Sequence, residues 1–278
     1  MKAVLSFVLA ALMSLTITAQ ELKLPALSPT STITQEFSTT KMEIVYSRPS
    51  ARGRSVFGDL VPFGQVWRTG ANAATKVTFG EEVEIGGTTV KAGTYSFYSV
   101  PGANEWEIIL NKNTGSWGAM GFDTKDDVVR FNVKPSVLPN AIETFTISVS
   151  NIKFSSCTID LSWERTHVSV PVIANNQERI KTSIDKAINT PSIPYQQAAT
   201  YYFETNQNLE LALDYATKAA EKNPKAYWLY MLKARIAKNL GKNDMAREAA
   251  SKTIEVAKGT PNEAEYAKYA QDLIKTLN

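Results

Sequence analysis

The spacing of apolar residues changes once along this chain, and the change limits which folds are possible. Before Ile173, apolar and polar residues alternate over short runs separated by turn residues, a pattern typical of β-strands. After Ile173 the spacing is helical and no alternating run returns. The sequence therefore predicts an antiparallel β-sandwich or jelly-roll-like domain followed by a separate α-helical domain.

The clearest alternation lies in Cys157–Glu164, where the apolar residues occupy the odd positions. This pattern predicts a half-buried antiparallel strand that places Cys157 and Trp163 in the core. Gly86-Gly87 lies between two further short strands, Val83–Ile85 and Thr88–Val90, and predicts a hairpin turn. Gln20–Ser38 is rich in Pro, Ser and Thr and predicts an extended surface segment, and Asn113–Asp127 predicts a Gly-rich loop with Trp117 exposed. The other predicted strands are Lys41–Ser47, Thr75–Phe79, Gly93–Val100, Glu105–Lys112, Val128–Lys134, Thr144–Phe154 and His167–Val172.

The C-terminal part contains an approximate repeat of small residues. Ala212 is followed 34 residues later by Ala246, and Ala219 by Thr253 at the same interval. This tail resembles a degenerate tetratricopeptide array of one and a half to two repeats, closed by a capping helix at 263–277. Such an array implies a surface that docks a protein partner.

The N-terminus has the pattern of a secretory signal peptide. Lys2 precedes the uncharged apolar run Ala3–Thr18, and Ala19 is a small residue suited to cleavage. We predict a signal peptide at 1–19, a β domain at 20–172 and a helical domain at 173–278. The mature protein would be periplasmic or secreted. The alternative is a membrane anchor, for which the run is short; beyond it nothing in the chain is apolar enough to span a bilayer.

Composition argues against several functions. The net charge is only +3 and its basic residues are dispersed, so nucleic acid is not an expected partner. Cys157 and His167 are the only Cys and His, which excludes an internal disulfide and the usual zinc ligand set. No nucleotide-binding or hydrolase motif is present, so no cofactor or metal is predicted and an enzyme is the less favoured class.

The segment Tyr46–Thr75 is the candidate functional site, because it concentrates arginine, glycine, proline and aromatic residues. Guanidinium groups there could converge on an anionic or glycan ligand. The alternative is that the arginines pair with Asp59 or with acidic residues of 123–127 and hold loops in place. Trp67 and Arg68 are adjacent, so on a strand they would face opposite sides and not share a pocket. The candidate ligand-binding residues are Arg48, Arg52, Arg54, Arg68, Asn72, Trp117 and Asp123.

Several sequence motifs in the β domain resemble those of one family. R-P-S-A-R-G-R, V-P-F-G and V-W-R-T-G-A-N occur in the arginine segment, and A-G-T-Y-S-F, E-W-E-I-I-L-N-K, W-G-A and D-V-V-R follow. Over roughly residues 24–172 the chain resembles the bacterial family known as domain of unknown function 2911. The resemblance implies a shared fold and carries no assigned activity.

Three function classes remain open at this stage. The first is an exported, non-catalytic binding module of the bacterial envelope, with a ligand site at 46–75 and a partner-docking tail. The second is a hydrolase-type enzyme that combines the Arg/Asn segment with a loop carboxylate; a Glu143/Glu164 pair as in glycosidases is one version. The third is a structural or assembly protein that acts through the tail.

Overall fold

The computed structural model describes residues 24–188, 190 and 194–277. The predicted signal peptide lies outside this range. Two antiparallel sheets occupy the N-terminal part and six helices follow them, as the change in apolar spacing predicts. None of the described helices combines the length and apolar character that crossing a membrane requires.

The larger sheet has six strands in the order β1-β2-β3-β6-β7-β8. It is a meander except where the β4–β5 hairpin leaves it, and every pairing is antiparallel. Its strands are β1 Thr30–Phe37, β2 Thr40–Ser47, β3 Thr75–Phe79, β6 Gly93–Val100, β7 Trp106–Asn111 and β8 Asp127–Val133.

The smaller sheet has four strands in the order β5-β4-β10-β9. Gly86 and Gly87 turn the β4–β5 hairpin with φ angles of 58° and 73°, the left-handed values that the paired glycines predict. The strands are β4 Val83–Ile85, β5 Thr88–Val90, β9 Ser136–Ser150 and β10 Ser156–Ala174.

The two sheets enclose an aromatic core. Trp67 and Trp163 stack with ring centroids 6.0 Å apart, and Phe145 meets Trp67 edge-on at 5.1 Å. Trp106 and Phe57 contact each other at 4.8 Å in the same cluster. Such aromatic pairs contribute beyond the area they bury. As predicted, Trp106, Trp163 and Cys157 belong to this core.

Two sequence predictions within the β domain need correction. Thr30–Phe37, predicted only as part of an extended surface segment, is an edge strand paired along its length with β2. Residues 157–172 do not form two strands, because β10 continues through a bulge at Glu164, which has a φ of 48°. A bulge accommodates an extra residue and bends the strand without ending it.

The helical tail begins at Gln177, and two residues separate it from the end of β10 at Ala174. The helices α3 and α5 begin 34 residues apart, at Leu209 and Asn243, and the repeated small residues of the sequence are buried between helices. Small side chains let the paired helices approach closely. The helices are α1 Gln177–Ala187, α2 Tyr195–Glu204, α3 Leu209–Lys222, α4 Tyr227–Asn239, α5 Asn243–Ala257 and α6 Glu263–Lys275.

A carboxylate joins the two parts of the molecule. Glu81, in the loop before β4, accepts hydrogen bonds from the backbone N and side chain of Thr39, at 3.2 and 3.1 Å. From the tail it accepts bonds from Asn176 Nδ2 at 2.8 Å and Arg179 Nη2 at 2.5 Å. Burial would raise the pKa of Glu81, but the hydrogen bonds from Asn176, Thr39 and Ser38 outweigh it and lower the pKa. We call this cluster the Glu81 junction.

Candidate functional site

The arginine-rich segment Tyr46–Thr75 forms one wall of a cavity with a volume of about 270 Å³. Arg54 and Arg68 are the charged residues of its lining, and the described residues that line it include no Asp or Glu. Trp67 and Trp163 of the aromatic core also contribute to the lining. We call this space the arginine cavity. It brings cationic groups against an apolar lining without a neutralising acid.

Backbone carbonyl groups hold the two cavity arginines. Arg54 donates from Nε to the Ala51 carbonyl and from Nη2 to the Ser50 carbonyl, both at 2.9 Å. Arg68 donates from Nη1 to the Asn72 carbonyl at 3.2 Å. A guanidinium group has further N–H donors in a rigid fork, so these bonds fix its position without using its full capacity.

The predicted alternative, in which the arginines pair with loop carboxylates, is wrong for the three acidic residues after Phe122. Asp123 pairs with Lys125 at 2.8 Å, Asp126 with Lys112 at 3.5 Å, and Asp127 with Arg130 at 2.8 Å. Among the described residues, none of the four arginines of the segment forms a salt bridge.

The other two arginines fasten the segment to its surroundings. Arg48 crosses to β9, where its Nε donates to the Phe145 carbonyl at 3.2 Å and its Nη2 to Thr146 Oγ1 at 2.9 Å. Arg52 donates from Nη2 to the Leu27 carbonyl at 3.1 Å. Neither lines the arginine cavity. The four arginines therefore divide into two that tie loops and two that face the cavity.

Two carboxylates hold the backbone of the segment rather than its arginine side chains. Glu143 accepts the backbone N–H of Arg52 at 2.7 Å, and Glu164 accepts that of Val56 at 3.2 Å. They come from neighbouring strands, where Glu164 pairs with Ile142 beside Glu143. Because both cap backbone donors that would otherwise lack partners, they position the loop. This arrangement assigns the glycosidase-like pair a structural task.

The expectation that Trp67 and Arg68 cannot share a pocket is wrong, since both line the arginine cavity. Trp67 forms only an isolated bridge with Ser99, and Thr69 then takes a left-handed φ of 52°. Strict alternation of faces requires a continuous strand, which this segment is not. The indole of Trp67 donates to the Gly70 carbonyl at 3.0 Å, so its polar group is satisfied within the segment.

Asn72 and Gly118 both lie close to the guanidinium group of Arg68. Asn72 Nδ2 donates to the Ser28 carbonyl and to Ser47 Oγ, which fixes the turn whose carbonyl holds Arg68. Gly118 has a φ of 69°, and a Cβ placed there would lie 2.5 Å from Arg68 Nη1. The Gly-rich loop thus approaches the guanidinium at a left-handed backbone position that favours glycine. Trp117, the preceding residue, is 62% exposed, as predicted.

Asp123 does not join the other candidates. Its side chain accepts the backbone N–H of Lys125 at 3.0 Å and caps a short 3-10 turn at Thr124–Asp126. The side-chain and backbone hydrogen bonds from Lys125 lower the pKa of Asp123. It is not part of the cavity lining. The lining also contains residues that had no distinguishing signal in the sequence, including Ser28, Leu60 and Gln65.

The part of the chain that the structure describes contains no group of three or more His, Cys, Asp or Glu side chains placed to hold a metal ion. The lone thiol of Cys157 lies in the core, where burial, with a smaller contribution from Asp160, raises its pKa to about 11.

Fold and site together define a two-sheet β protein with a basic cavity and a helical tail. The chain belongs to the protein family of unknown function DUF2911, whose model matches residues 28–172, just over half of its length. Comparison with curated proteins and with solved structures gave no match. The matched region includes the arginine segment and ends before the first helix.

Proposed function

We propose that this protein is a non-catalytic binding module whose arginine cavity holds an anionic group of a small ligand. The proposal rests on the presence of both Arg54 and Arg68 in a cavity lining that contains no acidic residue. Arg68 is half-buried and Arg54 is exposed, so both can reach a ligand, and an anion that contacts them gains charge-assisted hydrogen bonds.

The cavity size favours a compact group. A volume of about 270 Å³ is below the roughly 300–1,000 Å³ of pockets for drug-sized ligands. It suits a carboxylate or phosphate with a short attachment. Trp67 and Trp163, 9% and 2% exposed, are too buried to offer the open ring face that stacking on a sugar requires. An anion is therefore favoured over a neutral glycan.

The chemistry of the lining favours binding over the alternative hydrolase. Acid–base catalysis needs a group that titrates near the working pH within reach of the substrate. The lining residues that the structure describes offer two arginines, which stay protonated, and no carboxylate, His, Cys or Lys. The nearby carboxylates of Glu143 and Glu164 are engaged with backbone N–H groups.

Titration calorimetry with inorganic phosphate and with small carboxylates tests this proposal. We expect Arg54→Ala and Arg68→Ala each to weaken binding by about 10- to 100-fold, the loss of a charge-assisted hydrogen bond. Arg52→Ala is the matched control, because its guanidinium lies outside the cavity. Undiminished binding in the Arg54/Arg68 double variant, or equal loss in the control, would reject the site.

The same proposal includes export to the periplasm or the medium. It rests on the uncharged Ala3–Thr18 run and Ala19 of the sequence. N-terminal sequencing of the protein recovered from cells is expected to begin at Gln20. Soluble cytoplasmic protein that retains Met1 would contradict it.

The helical tail supplies a second, protein-docking surface in this proposal. Trp228 and Tyr269, 42% and 48% exposed, line a groove between α4 and α6. Among the other aromatic residues of the tail, Tyr201, Tyr202 and Tyr227 are buried. A partner isolated with the intact protein should be lost on Trp228→Ala/Tyr269→Ala. Its retention would make the tail a structural appendix.

A further inference from the structure

Exposed apolar side chains lie on the chain segments that line or adjoin the arginine cavity. They come from three loops and are unusually large for solvent-facing positions. The five residues are Leu27, Leu60, Phe63, Trp117 and Met120, with exposures between 38% and 73%. Scattered single apolar residues need no explanation, but a group around one site marks an interaction surface.

Contacts and chain neighbours place these three loops at or beside the cavity. Leu60 lines the cavity itself, and Phe63 follows Pro62 of the lining. Leu27 precedes Ser28 of the lining and its carbonyl accepts from Arg52. Trp117 is next to Gly118, whose Cβ position lies 2.5 Å from Arg68 Nη1. Leu60 and Trp117 therefore lie at or next to the site that would hold the anion, and Phe63 and Met120 belong to the same two loops.

The arginine-rich segment carries a net positive charge. Residues 46–75 contain four arginines and one acid, Asp59, which gives +3, the same value as the whole chain. Glu143 and Glu164 approach from the smaller sheet, but both carboxylates face backbone N–H groups of the segment. In the loop that carries Trp117 and Met120, Asp123 is paired with Lys125. The segment that contributes Leu60 and Phe63 is thus cationic.

We propose that this end of the β domain docks on an anionic lipid bilayer. A headgroup phosphate enters the arginine cavity, and Leu60, Phe63, Trp117 and Met120 enter the headgroup–acyl boundary. The proposal rests on the anion site proposed above and names the source of its anion. Aliphatic and thioether side chains gain free energy from acyl chains but recognise no sugar, and tryptophan prefers the interface. Cations near the surface add attraction to anionic lipids.

Vesicle sedimentation tests the docking, with protein that begins at Gln20 so that the apolar N-terminal run does not itself insert. Phosphatidylcholine vesicles are compared with vesicles containing about one third phosphatidylglycerol, a proportion that gives a negative surface. We expect binding to the anionic vesicles only, weakened at high salt. Phe63→Ser/Met120→Ser should reduce it at least tenfold while phosphate binding in solution stays unchanged, because neither side chain lines the cavity.

Trp228→Ser is the matched control, because it removes an exposed tryptophan from the tail. Arg54→Ala/Arg68→Ala should lose both vesicle and phosphate binding. If the protein binds phosphate but no vesicle, the docking is rejected and the binding module stands. If it binds neither, both are rejected. Vesicle binding that neither double variant reduces would also reject the docking surface.

Discussion

The Glu81 junction and the arginine cavity use the same residue types in opposite ways. At the junction, Arg179 points at a carboxylate that is 8% exposed, and Thr39 and Asn176 complete its hydrogen bonds. At the cavity, the guanidinium groups of Arg54 and Arg68 rest on carbonyl oxygens, and nearby carboxylates cap backbone N–H groups. The difference shows that the position of the acid, rather than the number of arginines, decides whether a cation is available to a ligand.

This contrast has an energetic consequence. Removing one partner from a buried, hydrogen-bonded pair leaves the other groups without partners, which costs more than the pair itself contributes. Removing a guanidinium that rests on carbonyls near solvent leaves groups that water can satisfy. The junction should therefore govern stability, and the cavity should govern binding.

The largest expected effect is that of Glu81→Ala on unfolding. The change removes the acceptor of Thr39, Asn176 and Arg179, and we expect a loss of about 2–3 kcal/mol, since Arg179 is half exposed. Denaturant unfolding followed by circular dichroism measures it. Glu84→Ala, an exposed carboxylate on β4, is the control and should change stability by less than about 0.5 kcal/mol. Equal losses of unfolding free energy in Glu81→Ala and Glu84→Ala would contradict the stabilising role assigned to the Glu81 junction.

Acidification should remove part of the unfolding free energy that Glu81→Ala is expected to remove. The folded-state pKa of Glu81 lies below the ordinary 4.5, so its stabilisation is complete above that value and is lost as pH falls through the lowered pKa. Melting temperatures measured below pH 5 should fall more steeply for the wild type than for Glu81→Gln. Parallel pH profiles would show that another group dominates.

A smaller effect is expected at the edge of the cavity. Gly118→Ala places a methyl group against Arg68 at a left-handed backbone position, and should cost about 1–2 kcal/mol. It should also weaken phosphate binding because Arg68 must move. Gly87→Ala has a similar φ of 73° with open space around it, and so measures backbone strain alone. Unchanged phosphate binding in Gly118→Ala would separate the loop from the site.

The smallest stability change belongs to the cavity arginines. Arg68→Ala should cost less than about 1 kcal/mol, because one hydrogen bond to a carbonyl is lost near solvent. Thermal unfolding of the purified variant gives this value. A loss of several kcal/mol with binding retained would make Arg68 part of the scaffold, and the candidate site would be withdrawn.

Turn and strand chemistry made much of the β domain predictable. The predicted strands Thr75–Phe79, Val83–Ile85, Thr88–Val90 and Gly93–Val100 agree with the structure at both ends. β1 was missed because Ile33 and Phe37 are its only large apolar residues, and its pairing with β2 supplies what local alternation does not. The bulge in β10 was missed because the polar run at Glu164 has the composition of a turn.

The residue composition of the candidate site could be predicted from the sequence, but the hydrogen-bond partners of its residues could not. The arginine segment stands out in sequence, yet the partners that orient it come from β9 and β10, about ninety or more positions away. For the same reason Arg179 could be placed only in the first tail helix, since Glu81 is 98 positions distant. Contacts of that range depend on strand register, which one sequence does not specify.

The long strand β10 links the arginine segment to the Glu81 junction and sets the distance between them. Glu164 at its bulge holds the arginine segment, and Asn176, two residues beyond its end at Ala174, holds the Glu81 junction. Side chains alternate along the regular part of β10 after the bulge, so one residue inserted or deleted there would turn one cluster away from its partners while the other stayed in place. Lineages that exchange the tail should therefore conserve the parity of this spacing, and a designer who grafts a new tail can vary it only in steps of two.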